Sequence, residues 1–229
     1  MRSKRMNLIV TCTFAILLTS ILAIRAFGQE SKTSNQDSST TATPLKTVAI
    51  GTQIWMAENL RVSTFRNGEP IPEAKTAAEW EAAYKNERAV WCYYNNDPKS
   101  GEKFGKLYNW YAVNDPRGLA PSGWHVPTDK EWQTLIKSSG GMSAAFAKLK
   151  AQDGFAAQPA GARYYKDASF NHLGTVGFWW SATKQDKWNA WYHALHFGYS
   201  KVGRDNGGMN TGHSVRLVKG AQSNTEKGK

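Results

Sequence analysis

This sequence predicts an α+β fold with a mainly antiparallel sheet. Three observations support that expectation: two helix starts written as capping boxes, short β-like stretches set between Gly and Asn turns, and the segregation of the two kinds of element instead of strict alternation. The first box is Thr76-Ala77-Ala78-Glu79, leading into Trp80, Ala83 and Tyr84. The second is Thr128-Asp129-Lys130-Glu131, which follows Pro127 and leads into Trp132, Leu135 and Ile136 at i, i+3, i+4. In each, the Thr side chain serves the first-turn amides while the Glu reaches back. A third helix is expected over 143–151, with Phe146 and Leu149 as its apolar face. Strands are expected at 48–56, 90–94, 178–182, 190–197 and 213–218.

The chain opens on a basic start (Arg2, Lys4, Arg5), an apolar run over 8–24 and small residues at Ala26 and Gly28, the three zones of a secretory signal with cleavage expected after Gly28. The run is shorter than the ~20 residues of a spanning helix and is interrupted by Thr11, Thr13, Thr19 and Ser20, so an uncleaved anchor is the second reading. Cys12 lies too early to carry a lipid anchor. Residues 29–46 are rich in Ser, Thr, Gln and Asn and hold no aromatic residue, which reads as a disordered linker. Residues 47–220 then form a single globular domain and 221–229 a polar tail.

The net charge of +11 includes four basic residues of the signal, so the exported chain keeps an excess of seven. Its basic second half, interleaved with aromatics, would suit nucleic acid in a cytoplasmic protein. Export argues against that partner; a scattered, solvated surface charge is the first reading, with anionic envelope polymers, glycans or lipids, as the functional alternative. With the signal removed, Cys92 stands alone, so packing must hold the fold without an internal disulfide. Ten tryptophans, all between Trp55 and Trp191, supply the apolar area.

Catalytic signatures are sparse. On a strand, His193 falls with Trp191, Leu195 and Phe197 while His196 points the other way, so the two cannot chelate together. One buried and one surface histidine are expected, and no metal or cofactor. Ser-x-x-Lys occurs at Ser100 and Ser181 without companion motifs, and Cys92 between Trp91 and Tyr93 reads as a buried small hydrophobe. Asn95-Asn96-Asp97-Pro98 reads as a tight turn more than a calcium loop. A carboxylate pair for glycoside hydrolysis is a separation in space, which the sequence leaves open.

Five ordered segments carry a resemblance: Gly51-Thr52-Gln53-Ile54-Trp55-Met56-Ala57-Glu58-Asn59-Leu60, Gly105-Lys106-Leu107-Tyr108-Asn109-Trp110-Tyr111-Ala112-Val113, Gly123-Trp124-His125-Val126-Pro127-Thr128-Asp129-Lys130-Glu131-Trp132, Gly177-Phe178-Trp179-Trp180-Ser181-Ala182-Thr183 and Ser214-Val215-Arg216-Leu217-Val218-Lys219. Together they resemble the Fibrobacter succinogenes major paralogous domain, a family of exported bacterial proteins, over essentially the whole of 47–220. Two of them are also similar, more distantly, to the sulfatase-modifying (formylglycine-generating) branch of the C-type-lectin-like fold. That likeness implies a twisted antiparallel sheet, two main helices and long loops. It does not imply the branch's copper chemistry, because Leu217 stands where relatives commonly place a cysteine.

By the same resemblance, a ligand face is expected in the irregular region 184–210, with Trp188, Asn189, Tyr199, Arg204, Asp205 and Asn206 as the binding residues. The segment 198–208 reads as a glycine-rich polar loop. The sequence therefore points to an exported, non-catalytic binding module of the envelope or cell surface, secreted or periplasmic, with a glycan or a surface protein as partner. A polysaccharide-acting enzyme and a basic structural envelope protein are the alternatives.

Overall fold

A computed structural model describes residues 45–220; the expected signal, nearly all of the linker and the polar tail lie outside the described residues. The chain begins with a hairpin, β1 (Thr47–Ile50) and β2 (Gln53–Met56), where one strand over 48–56 was expected; the left-handed backbone at Gly51 breaks it. Helix α1 (Ala77–Lys85) follows. β3 (Trp91–Cys92), shorter than the expected 90–94, pairs antiparallel across α2 (Pro98–Phe104) with β4 (Leu107–Tyr108). Asn95 and Asn96 sit in the left-handed region before α2, and Asp97 caps that helix by accepting from the Lys99 amide at 3.0 Å, so the Asn-Asn-Asp-Pro run works as a turn and cap.

The short α3 (Trp110–Val113), β5 (Trp124–His125), α4 (Asp129–Ser138) and α5 (Gly141–Lys150) come next. The last third of the domain supplies β6 (Ala160–Arg163), β7 (Phe170–Leu173), β8 (Val176–Lys184), β9 (Asn189–His196), β10 (Lys201–Gly208) and β11 (Val218–Lys219). Both expected capping boxes are formed: Thr76 accepts from the Glu79 amide at 3.1 Å and Thr128 from the Glu131 amide at 3.3 Å, each Glu reaching back to its cap amide at 2.8 Å.

The strands make a four-stranded sheet in the order β1-β2-β11-β5, a five-stranded sheet in the order β10-β9-β8-β6-β7, and the β3-β4 pair. All pairings are antiparallel except β6 with β8, so the described residues form a mixed α+β fold with a mainly antiparallel sheet. Two expectations change. The segment 198–208 is largely strand β10, because as an edge strand it needs only one packed face, which Val202 provides. Of 213–218, only Val218 joins a strand; the stretch before it runs as a strap that trades backbone hydrogen bonds with several elements.

Seven tryptophans are buried among the described residues, and each indole N–H donates, six of the seven across long sequence separations and mostly to backbone carbonyls: Trp80 to Asn210, Trp91 to Ile71, Trp110 to Ser181, Trp132 to Trp180 and Trp180 to Tyr108. Cross-ties of this kind replace the missing disulfide. Cys92 is fully buried, and burial pushes its thiol up to about 12.

Candidate functional site

Alternation along β9 and β10 divides the five-stranded sheet into two faces with different fates. The register pairs Val202 with Leu195 and Arg204 with His193, and pairs His193 with Trp179 of β8, so these side chains share the face under α4 and α5. There Leu195, Val202 and Trp179 join Trp132, Leu149 and Phe155 in a core. His193 lies on Trp132 with centroids 5.1 Å apart and planes 15° apart, and its Nε2 meets Asp129 Oδ1 at 3.0 Å. Arg204 donates to both oxygens of the same carboxylate at 2.8 and 2.9 Å while its guanidinium covers the Trp191 ring at 3.5 Å. Burial opposes ionisation of Asp129, but the hydrogen bonds from His193 and Arg204 outweigh it and hold the carboxyl well below its usual range. Burial in turn lowers the pKa of His193.

The opposite face is open. Phe178, Tyr192 and His196 project from β8 and β9 into a cavity of about 800 Å³. Its floor is made by the buried Ala162, Val176, Thr211 and His213, and its rim by the exposed rings of Tyr164, Tyr165 and Tyr199. Two glycines of β10 leave room on this face: a Cβ on Gly207, which lines the cavity, would stand 3.2 Å from the Tyr192 ring, and one on Gly203, which lines an adjoining hollow, would stand 3.3 Å from His196 Nε2. No Asp, Glu, Lys or Arg lines this cavity. Lys201, Arg204 and Asp205 border this adjoining hollow, which shares Phe178, Tyr192, His196 and Tyr199.

His213 is set by its backbone. The strap exchanges hydrogen bonds with Tyr108 in both directions at 2.9 and 3.1 Å, Gly212 does the same with Arg163, and the Ser214 amide donates to Phe178. This presents the imidazole flat against Phe178, centroids 5.1 Å and planes 16° apart, with Trp180 at 4.4 Å and Tyr192 at 4.8 Å. Neither ring nitrogen makes a hydrogen bond of normal geometry, although the adjacent Gly212 backbone partly opposes the effect of burial on the ring. Burial pushes its pKa down to about 3, so the ring is neutral at ordinary pH.

Of the six residues singled out from sequence, Tyr199, Arg204 and Asp205 border the adjoining hollow and Asn206 the cavity itself, while Trp188 and Asn189 stand apart. Tyr199, 86% exposed, reaches the cavity as well. Arg204 is turned to the helix side and held by Asp129. Trp188 and Asn189 stand at the far end of the hairpin, an eight-residue strand or ~25 Å from Tyr199, where Asp186 accepts both their amides at 2.7 and 2.8 Å. Sequence reasoning missed Phe178, Tyr192 and His213. The alternate glycines of 203 and 207 were the available signal, since a strand glycine marks close approach by another group. Among the described residues no three His, Cys, Asp or Glu side chains gather as metal ligands, and no helix is long and apolar enough to cross a membrane.

A model of the Fibrobacter succinogenes major domain family matches residues 48–219. The chain belongs to this family. No curated protein and no solved structure matches it. In this major domain, three of the five segments that carry the family likeness meet in one buried knot. Asn59 Oδ1 accepts from Trp179 Nε1 at 2.8 Å and from Arg216 Nη2 at 3.1 Å, while Asn59 Nδ2 donates to the Phe104 carbonyl at 2.8 Å. Arg216 also donates to the Phe155 carbonyl and covers the Phe155 ring at 4.0 Å; burial lowers its pKa to about 9. Asn59, Trp179 and Arg216 thus tie these three segments together as scaffold, and the cavity is built largely by residues outside the five segments.

Proposed function

We propose that this major domain is an exported, non-catalytic binding module of lectin-like architecture, and that its ligand is a glycan seated in the aromatic cavity at the bacterial envelope or cell surface. The observation that carries this reading is the cavity itself: a concave space within the size range of small-ligand sites, walled by aromatic rings that stack on sugar faces and rimmed by hydroxyls that meet sugar oxygens. A surface protein would be met by a flatter patch, which makes the glycan the better occupant. The lack of any carboxylate among the lining residues speaks against glycoside hydrolysis in this cavity, since both established geometries need a pair. Its lack of basic residues also separates it from the charged surface that would hold anionic polymers. The mixed α+β layout with a mainly antiparallel sheet and irregular straps is consistent with the lectin-like expectation.

A screen of residues 29–229 against a glycan array, run beside the double change Tyr164→Ala and Tyr165→Ala, tests the reading. Glycan binding that the double variant loses while keeping its melting temperature is expected. Binding that survives the change, or polysaccharide cleaved during the screen, would overturn it.

A further inference from the structure

We infer that the cavity selects an uncharged ligand and that His213 receives a hydroxyl at the ligand's buried end. The inference rests on reading the cavity as a ligand site and adds what the site accepts and which group at its floor does the recognising.

Three features of the floor lead there. His213 is 3% exposed and both of its ring nitrogens lack a protein partner, whereas buried polar side chains are nearly always paired. The ring is also preorganised: Phe178, Trp180 and Tyr192 pack it, and the two-way backbone pairing with Tyr108 fixes the strap that carries it. A phenyl group would fill the same aromatic nest without unpaired nitrogens, so the imidazole serves something beyond packing. Finally, no Asp, Glu, Lys or Arg lines the cavity, whose other imidazoles, His172 and His196, stand apart from its floor, and Lys201, Arg204 and Asp205 belong to the hollow beside it. A carboxylate or ammonium buried at the floor, among Ala162, Val176, Thr211 and the neutral His213, would find no counter-charge, and burying an unpaired charge is strongly unfavourable.

A hydroxyl fits the floor because it both donates and accepts. It can therefore satisfy the protonated or the bare nitrogen of a neutral imidazole, whichever tautomer is present. The walls set the rest of the ligand: an apolar ring face lies against Phe178 and Tyr192, and polar edges point outward to Tyr164, Tyr165 and Tyr199. Neutral sugars meet this description and uronic acids do not.

The test follows the histidine ring resonances of the chain 29–229 during titration with two sets of probes: methyl β-glucoside against methyl β-glucuronide, and cyclohexanol against cyclohexanecarboxylate and cyclohexylamine. The neutral members should move the His213 signals and bind at least tenfold more tightly than their charged counterparts. His213→Phe should melt at the same or a higher temperature and lose at least tenfold in binding of the neutral probes, and His213→Gln should recover part of that loss. Equal binding of charged and neutral members, or undiminished binding by His213→Phe, would overturn the inference. If cyclohexanol moves His213 and no sugar does, the inference stands and the glycan reading falls. Sugars that perturb Tyr165 or Tyr199 and leave His213 untouched give the reverse, and silence from both neutral probes removes both.

Discussion

His193 and His213 pack against opposite faces of one sheet, and the local geometry of the two is closely matched. Each lies nearly parallel on an aromatic ring with centroids 5.1 Å apart, each is almost wholly buried, and burial lowers the pKa of both. They differ in what their nitrogens meet. His193 gives Nε2 to Asp129, which also holds Arg204, and its unpaired Nδ1 lies within a filled core. His213 meets nothing and borders a cavity. Burial and stacking are therefore common to scaffold and site, and the hydrogen-bond inventory separates them. The helix-side face is closed by a polar cluster in which only His193 Nδ1 is unpaired, while on the cavity face both nitrogens of His213 are.

The largest effect should come from breaking the closed face. Asp129→Ala leaves His193 and Arg204 without their shared acceptor and should cost about 2–3 kcal/mol in chemical denaturation, at or below the low end for a buried pair because Arg204 is partly exposed. Binding of neutral probes by the folded protein should be unchanged. A cost under ~0.5 kcal/mol, the level of an ordinary surface change, would remove the argument that this cluster is scaffold.

Part of this contrast was readable in the sequence. Period-two alternation over 191–197 placed His193 with Trp191 and Leu195 and turned His196 away, and the structure keeps that division. The capping boxes fixed the starts of α1 and α4, because they are local chemistry written in four residues. The cavity was not readable, since its floor joins β6, β8 and a strap with almost no ladder pairing of its own, brought together only by tertiary packing. Polarity and glycine content over 198–208 suggested a loop, but an edge strand tolerates both when the neighbouring strand supplies large rings. Arg204 looked available for a ligand because nothing local reveals Asp129, 75 positions away.

Acidity should sharpen the comparison next. His213 falls from the usual 6.5 to about 3, so between those values the unfolded chain takes up a proton that the folded chain refuses. Stability is then lost as pH drops from 6.5 toward 3, by at most about 1.4 kcal/mol per pH unit. His193 shifts in the same direction, and Asp129 and Glu131, held low, lose their contributions only as pH falls through the carboxylate range. The difference between wild type and His213→Phe isolates the one group. Between pH 6.5 and 5, the variant should show the flatter dependence of melting temperature on pH. Parallel curves would mean that His213 takes up its proton in the fold as it does in the unfolded chain.

A smaller effect is expected at the cavity wall. Gly207→Ala puts a methyl 3.2 Å from the Tyr192 ring, which must shift by a few tenths of an ångström into the cavity. The strand gains about 0.5–1 kcal/mol from losing a glycine, offsetting the crowding, so the melting temperature should hardly move. Neutral-probe affinity should nonetheless fall several-fold. Loss of stability with affinity intact would show that Tyr192 packs for the fold and not for a ligand.

The smallest change in stability belongs to the rim. Tyr199 stands in the turn between β9 and β10 with 86% of its surface exposed, and its ring makes no stacking or cation–π pair among the described residues. The other two rim tyrosines pack edge to face at 4.7 Å, so they have a structural partner that Tyr199 lacks. Tyr199→Ala should therefore change stability by no more than about 0.5 kcal/mol, as at an ordinary exposed position. If the ring stacks on the outer end of a ligand whose inner end is held by His213, its loss should weaken binding of an oligosaccharide long enough to reach the rim while leaving a single-ring probe unaffected. That dependence on ligand length is the measurement that separates a working rim from a chance exposed tyrosine. Equal losses for long and short probes would place Tyr199 close to the floor, and no loss for either would restrict the site to the deep half of the cavity, where His213 lies.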